Sequence, residues 1–137
     1  MFTDIAIRVD TTQIPLAESA VATYGLMCRV QENGDGYAFR ITSDGQYVVE
    51  VYSGGVFTPI NGWKYSEGIK IGKEANQNHL EAECKGNQLT FIVNGQVLDI
   101  VVNDQFSSGL AGFVVQTGDA AVNAEVHFDD LYLLKVD

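Results

Sequence analysis

Few side chains in this 137-residue chain are spaced for catalysis. Its two histidines, His79 and His127, lie beside strand-like stretches and lack the spacing by which one helix turn presents two imidazoles to a metal. They read as core or surface histidines. Asp35, Asp44, Asp129 and Asp130 sit in or beside turns, and oxygen-rich turns can hold Ca²⁺. The regular ladder of aspartates in a calcium loop is missing, however, and an Asp in a turn commonly bonds its own backbone. Glu81 and Glu83 share one face of a strand, about 7 Å apart by strand rise, a separation that suits the acid pair of an inverting glycosidase. Polar-outward alternation explains the same two glutamates without chemistry. No nucleophile elbow, phosphate-binding loop or dinucleotide fingerprint occurs. The chain therefore offers no catalytic residue, no metal ligand and no cofactor motif.

Aromatic residues form the more suggestive set. Tyr47, Tyr52, Phe57, Trp63 and Tyr65 are concentrated around one hairpin and the loop that follows it. Sugars stack their C–H faces on such rings, while Asn, Asp and Arg bind the hydroxyls. Tyr47, Tyr52, Trp63 and Tyr65, with Arg40 and Asn61 as polar partners, are thus the candidate ligand-binding residues. Core packing is the competing explanation for any ring, and it is the reading adopted for Phe39 and Phe91.

The elements that must position these residues are short strands divided by tight turns. Asn33-Gly34-Asp35-Gly36, Ser43-Asp44-Gly45, Ser53-Gly54-Gly55, Lys85-Gly86-Asn87 and Asn94-Gly95 each separate stretches that alternate apolar and polar. Each reads as a β-hairpin. No window holds a 3.6-residue period, although Asp104-Gln105-Phe106 has room for one helical turn. Residues 11–20 and 61–77 read as loops, the second with a small apolar bridge at Ile69-Lys70-Ile71. Hairpins at this frequency predict an all-β fold, a two-sheet antiparallel β-sandwich of about ten strands.

Composition fits one domain over residues 1–137, with 46% apolar residues, 14 glycines and 2 prolines. The first nine residues lack the pattern of a signal peptide and enter a strand at once, as in a domain excised from a longer protein. No apolar run approaches the ~20 residues of a membrane span, so direct membrane insertion is not expected. The net charge of −10 repels phosphate backbones, which disfavours nucleic acid as a partner.

Seven motifs in order carry a family resemblance. They are Tyr24-Gly25-Leu26-Met27-Cys28-Arg29, Gly36-Tyr37-Ala38-Phe39-Arg40-Ile41, Asp44-Gly45-Gln46-Tyr47, Asn78-His79-Leu80, Phe91-Ile92-Val93-Asn94-Gly95, Gly109-Leu110-Ala111-Gly112-Phe113 and Phe128-Asp129-Asp130-Leu131. This order resembles the concanavalin A-like jelly rolls, and within them the bacterial group of 3-keto-disaccharide hydrolase-like and laminin-G-like domains. The resemblance implies two antiparallel sheets, one concave, and a module that binds carbohydrate outside the cytoplasm. It places no catalytic motif on these residues. Family members often carry strands ahead of the position of Phe2; their lack here implies an open sheet edge, to be met by a second copy or a neighbouring domain.

The resemblance also supports a disulfide between Cys28 and Cys84, since related modules often show a cysteine in each of the two corresponding motifs. Both cysteines alternate with apolar neighbours on inward faces; two buried thiols are the alternative. A disulfide would place the domain in an oxidising compartment. The expected function is a non-catalytic extracytoplasmic binding module for a carbohydrate. A sugar-acting hydrolase domain and a structural or oligomerising module are the alternatives.

Overall fold

A computed structural model of the protein describes residues 3–14, 21–71, 76–117 and 125–136. Eleven strands appear in it: β1 (Ile5–Gln13), β2 (Ala22–Val30), β3 (Gly36–Thr42), β4 (Gln46–Ser53), β5 (Val56–Pro59), β6 (Lys64–Tyr65), β7 (Asn76–Lys85), β8 (Gln88–Val93), β9 (Gln96–Val102), β10 (Leu110–Thr117) and β11 (Val126–Lys135). They form two antiparallel sheets, ordered β11-β1-β7-β8-β9 and β10-β2-β3-β4-β5, with β6 also on β4. The architecture is the expected jelly-roll sandwich. No described helix is long and apolar enough to cross a membrane.

All five glycine turns join paired neighbours. At Asn94-Gly95 both residues adopt positive φ, 52° and 81°, the conformation a two-residue hairpin loop demands. Alternation then sorts each strand into an inner and an outer face. Leu80, Ala82 and Cys84 of β7 meet Leu26, Phe39 and Phe91 in a core that also holds Tyr24, Tyr37 and Tyr47. Phe39 and Phe91 pack edge to face with centroids 5.7 Å apart, as their core assignment requires. Burying each ring contributes roughly 2–3 kcal/mol.

Cys28 of β2 and Cys84 of β7 form a disulfide that joins the two sheets, with Cα atoms 6.8 Å apart. Next to it, Arg29 is buried with φ of 53°. Its guanidinium donates to the carbonyls of Thr3, Gly86 and Phe106 and to the Asp4 carboxylate. One side chain thus ties together the first strand's approach, the β7–β8 turn and the segment before β10.

Three expectations need correction. Strand β1 continues through Gln13, where a loop was expected from Thr11, because Thr11 and Gln13 face inward and their polarity hides the strand. For the same reason β7 begins at Asn76 within the expected loop; Asn76 and Asn78 are buried. Residues 104–106 form no helical turn: the Gln105 N–H donates instead to the Asn103 side chain. Residues 15–20, 72–75 and 118–124, parts of other expected loops and strands, lie outside the described residues.

The sandwich is closed differently along its two sides. On one side Asn61 and Lys64 reach Asp99 of β9, and the Tyr47 hydroxyl donates to the Leu98 carbonyl. On the other, β10 and β11 are edge strands. The Phe113 and Phe128 rings stack between them at 4.4 Å, beside an apolar cavity of about 230 Å³ lined by Ile7, Leu110, Leu131 and Leu133. Strand β11 carries a bulge, for Arg8 pairs Tyr132 whereas Asp10 pairs Asp129, and Asp130 takes φ of 53°.

Candidate functional site

Directly paired residues share a sheet face, so register identifies what stands on the outer side of the six-stranded sheet. Arg40 pairs Val48 and Ala38 pairs Glu50. Glu50 is therefore the diagonal neighbour of Arg40, within reach of a long side chain. Arg40 Nε donates to Glu50 Oε2 at 2.5 Å and Nη2 to Oε1 at 2.8 Å, a side-on bidentate pair. Nη1 donates to Gln116 Oε1 at 2.9 Å. On its other flank Arg40 pairs Gly25, so no side chain of β2 stands between it and β10. A Cβ at Gly25 would lie 1.8 Å from the Phe39 carbonyl oxygen, which leaves glycine as the residue this close approach admits.

Aromatic rings cover the ion pair. The Phe57 ring centre lies 3.8 Å from the Arg40 guanidinium carbon, and that of Trp63 lies 5.5 Å away. Phe57 pairs Tyr52 across the β4–β5 hairpin, and their rings meet at 4.6 Å. Between Pro59 and Lys64 the edge strand leaves β4, which carries Trp63 toward Arg40 before β6 pairs again. Burial completes the arrangement: Arg40 is 5% and Glu50 1% exposed, whereas Trp63 is 40% exposed. The result is a neutralised guanidinium beneath rings that reach solvent.

Of the sequence-derived ligand residues, Arg40, Tyr52 and Trp63 come together here. Tyr65, 74% exposed, pairs Gln46 farther along the same strand edge. Two do not join them. Tyr47 belongs to the core, inward-facing and 7% exposed, so it is withdrawn from the ligand-facing set. The Asn61 amide faces Asp99, 3.3 Å from both carboxylate oxygens, at the sandwich edge rather than over Arg40. Glu50 and Gln116 were missed. Glu50 had a signal, since the turn at Asp44-Gly45 puts it in step with Arg40 across the hairpin. Gln116 had none, because it arrives by long-range pairing of β10 with β2.

The remaining candidates have local roles. Glu81 accepts a 2.9 Å bond from Arg8 on the outer face of the five-stranded sheet. His79 Nδ1 lies 2.7 Å from Asp10, and His127 Nε2 lies 2.9 Å from Glu125. Asp35 accepts from the Gly54 N–H and the Ser53 hydroxyl, and Asp44 from Thr42. Among the described residues, no three His, Cys, Asp or Glu side chains are grouped to hold a metal. A cavity of about 390 Å³ beside Asp10, His79, Asn94 and Asp129 is polar and lacks a phenyl or indole ring to stack on. On the strand positions of the Trp63 face, Glu50 is the one carboxylate, so the two facing acids of glycoside hydrolysis are not found there among the described residues.

No family model matches the chain, and the search of curated proteins finds no match. Solved structures do. The carbohydrate-binding module CBM66 from Bacillus subtilis is 18% identical with a TM-score of 0.75, over 97% of this chain and 76% of that one. Sheep galectin-11 in complex with glycerol is 12% identical with a TM-score of 0.68, over 98% and 92% of the two chains. A tetrameric galectin from the ball sponge Cinachyrella sp. is 12% identical with a TM-score of 0.62, over 98% and 93%. At such identities the likeness is one of fold: the chain is similar to these jelly-roll β-sandwiches.

Proposed function

We propose that this protein is a non-catalytic carbohydrate-binding module whose ligand meets the outer face of the six-stranded sheet at Trp63. The observation that carries the reading is the half-exposed Trp63 ring beside the buried Arg40–Glu50 pair, with Phe57 and Tyr52 alongside. A ring of this kind stacks on a sugar's C–H face, and the polar groups beneath fix its hydroxyls. The fold neighbours, a carbohydrate-binding module and galectins, agree with a sugar ligand. The Cys28–Cys84 disulfide supports an extracytoplasmic location, because such bonds persist in oxidising compartments. Membership of the laminin-G-like group is part of the proposal and rests on the seven motifs. A glycan array probed with the purified protein tests it, with each hit confirmed by quenching or shift of the single tryptophan's fluorescence. Hits that leave Trp63 emission unchanged refute the placement, and an array without hits refutes the function.

A second reading has its own observation. Leu131, Tyr132, Leu133 and Leu134 are all exposed on edge strand β11, as in a module that meets another protein or a second copy. Sedimentation velocity at rising concentration separates it from the first.

A further inference from the structure

The charge balance of the Arg40 site bears on which sugars it takes. Among strand residues that pairing places on this face, Arg40 and Glu50 are the two charged ones. The strand positions of this face therefore carry no net charge, on a molecule whose net charge is −10. A free arginine would attract carboxylates and sulfates, but Glu50 already occupies its side-on edge through two bonds. A guanidinium has five N–H groups. Two go to Glu50 and one to Gln116, which leaves one hydrogen on each terminal nitrogen, Nη1 and Nη2. Arg40 is almost fully buried beneath Phe57 and Trp63, so its charge is balanced by Glu50 rather than by water.

Resting on the carbohydrate reading above, we propose that the site selects neutral sugars and discriminates against uronic, sialylated and sulfated glycans. A carboxylate or sulfate must approach Glu50 at close range within an acidic molecule, a repulsion of the same order as the attraction Arg40 supplies. The neighbouring Trp63 ring rewards a C–H face, which neutral pyranose and furanose rings present.

The experiment pairs ligands of the same backbone and linkage that differ in charge: polygalacturonate against its methyl ester, and unsulfated against sulfated galactan, within an array of neutral and acidic glycans. Neutral glycans are expected to bind at least tenfold more tightly than their acidic counterparts. Their affinity should change less than twofold between 20 and 500 mM NaCl, because no net charge is available for salt to screen. Glu50→Gln is expected to raise the ratio of acidic to neutral affinity by roughly tenfold or more, since it exposes the Arg40 charge. The salt series uses the unaltered protein, so it stands even where that variant fails to fold. Equal or tighter binding of acidic glycans, or a steep loss with salt, overturns the selectivity while the sugar-binding reading survives. An absence of glycan binding overturns both.

Discussion

Arg40 and Glu50 stand on neighbouring strands, diagonal rather than opposite, and meet through two hydrogen bonds of 2.5 and 2.8 Å with both side chains almost wholly out of water. An ion pair in that setting gains little net stability over an apolar pair of equal volume, but losing one partner is costly. Glu50→Ala is therefore expected to lose about 3–5 kcal/mol in urea unfolding, whereas Arg40→Met with Glu50→Leu loses much less. Equal losses in the single and double variants would show that the charges do not act as a pair.

Trp63 is half exposed and touches the guanidinium from outside, so its removal should cost binding more than folding. Trp63→Ala is expected to weaken an array-identified glycan about tenfold, in line with ring contacts of ~1 kcal/mol or more, with a melting temperature within a few degrees. Asn61→Ala, directed at Asp99, should leave affinity unchanged. Calorimetric titration of the three proteins distinguishes them.

The Cys28–Cys84 bond spans a sequence separation of 56 and fastens one sheet to the other. Intact mass should rise by two hydrogens on reduction. The reduced protein should be less stable by roughly 4 kcal/mol in the chain-entropy account, measured by urea unfolding with and without reductant.

Gly25 lies against the β3 backbone. Gly25→Ala must displace backbone rather than a side-chain tip, and about 3 kcal/mol of stability is expected to be lost. Thermal unfolding checks it; a melting temperature like that of the unaltered protein would mean that the strands separate readily.

Burial pushes the Tyr24 phenol above its ordinary pKa, while hydrogen bonds from Asn78 and Thr11 act the other way. The folded chain holds that proton more tightly than the unfolded chain. The contribution to stability is accordingly intact below about pH 10 and is lost as pH climbs from there toward the folded value. Unfolding free energies between pH 9 and 11 should fall less steeply in Tyr24→Phe than in the unaltered protein.

What could be read in advance followed local chemistry. Turn residues such as Asn94-Gly95 fix their hairpins within a few residues, and period-two alternation assigns Phe39 inward without knowledge of its partner. The reading failed where polar side chains are buried. Thr11, Gln13, Asn76 and Asn78 look like loop residues because residue type does not reveal burial; the Thr11 hydroxyl, for one, donates to the Asn78 carbonyl of a different strand. The site was legible in part for the same reason. Arg40 and Trp63 lie near one hairpin, but Gln116 reaches them from the other end of the chain, and Tyr47 was mistaken because ring type alone does not reveal which face it occupies.

Strand β11 ends in four consecutive apolar residues, Leu131 to Leu134, on an edge where identical chains can add to one another without limit. Charged neighbours guard that run: Asp129 and Asp130 before it, Lys135 after it. The bulge at Asp130 bends the backbone just where an incoming strand would need it straight. Filament growth is thereby opposed by gatekeeper charge and backbone shape, so an unbulged, uncharged β11 would make a far more aggregation-prone protein with the same core.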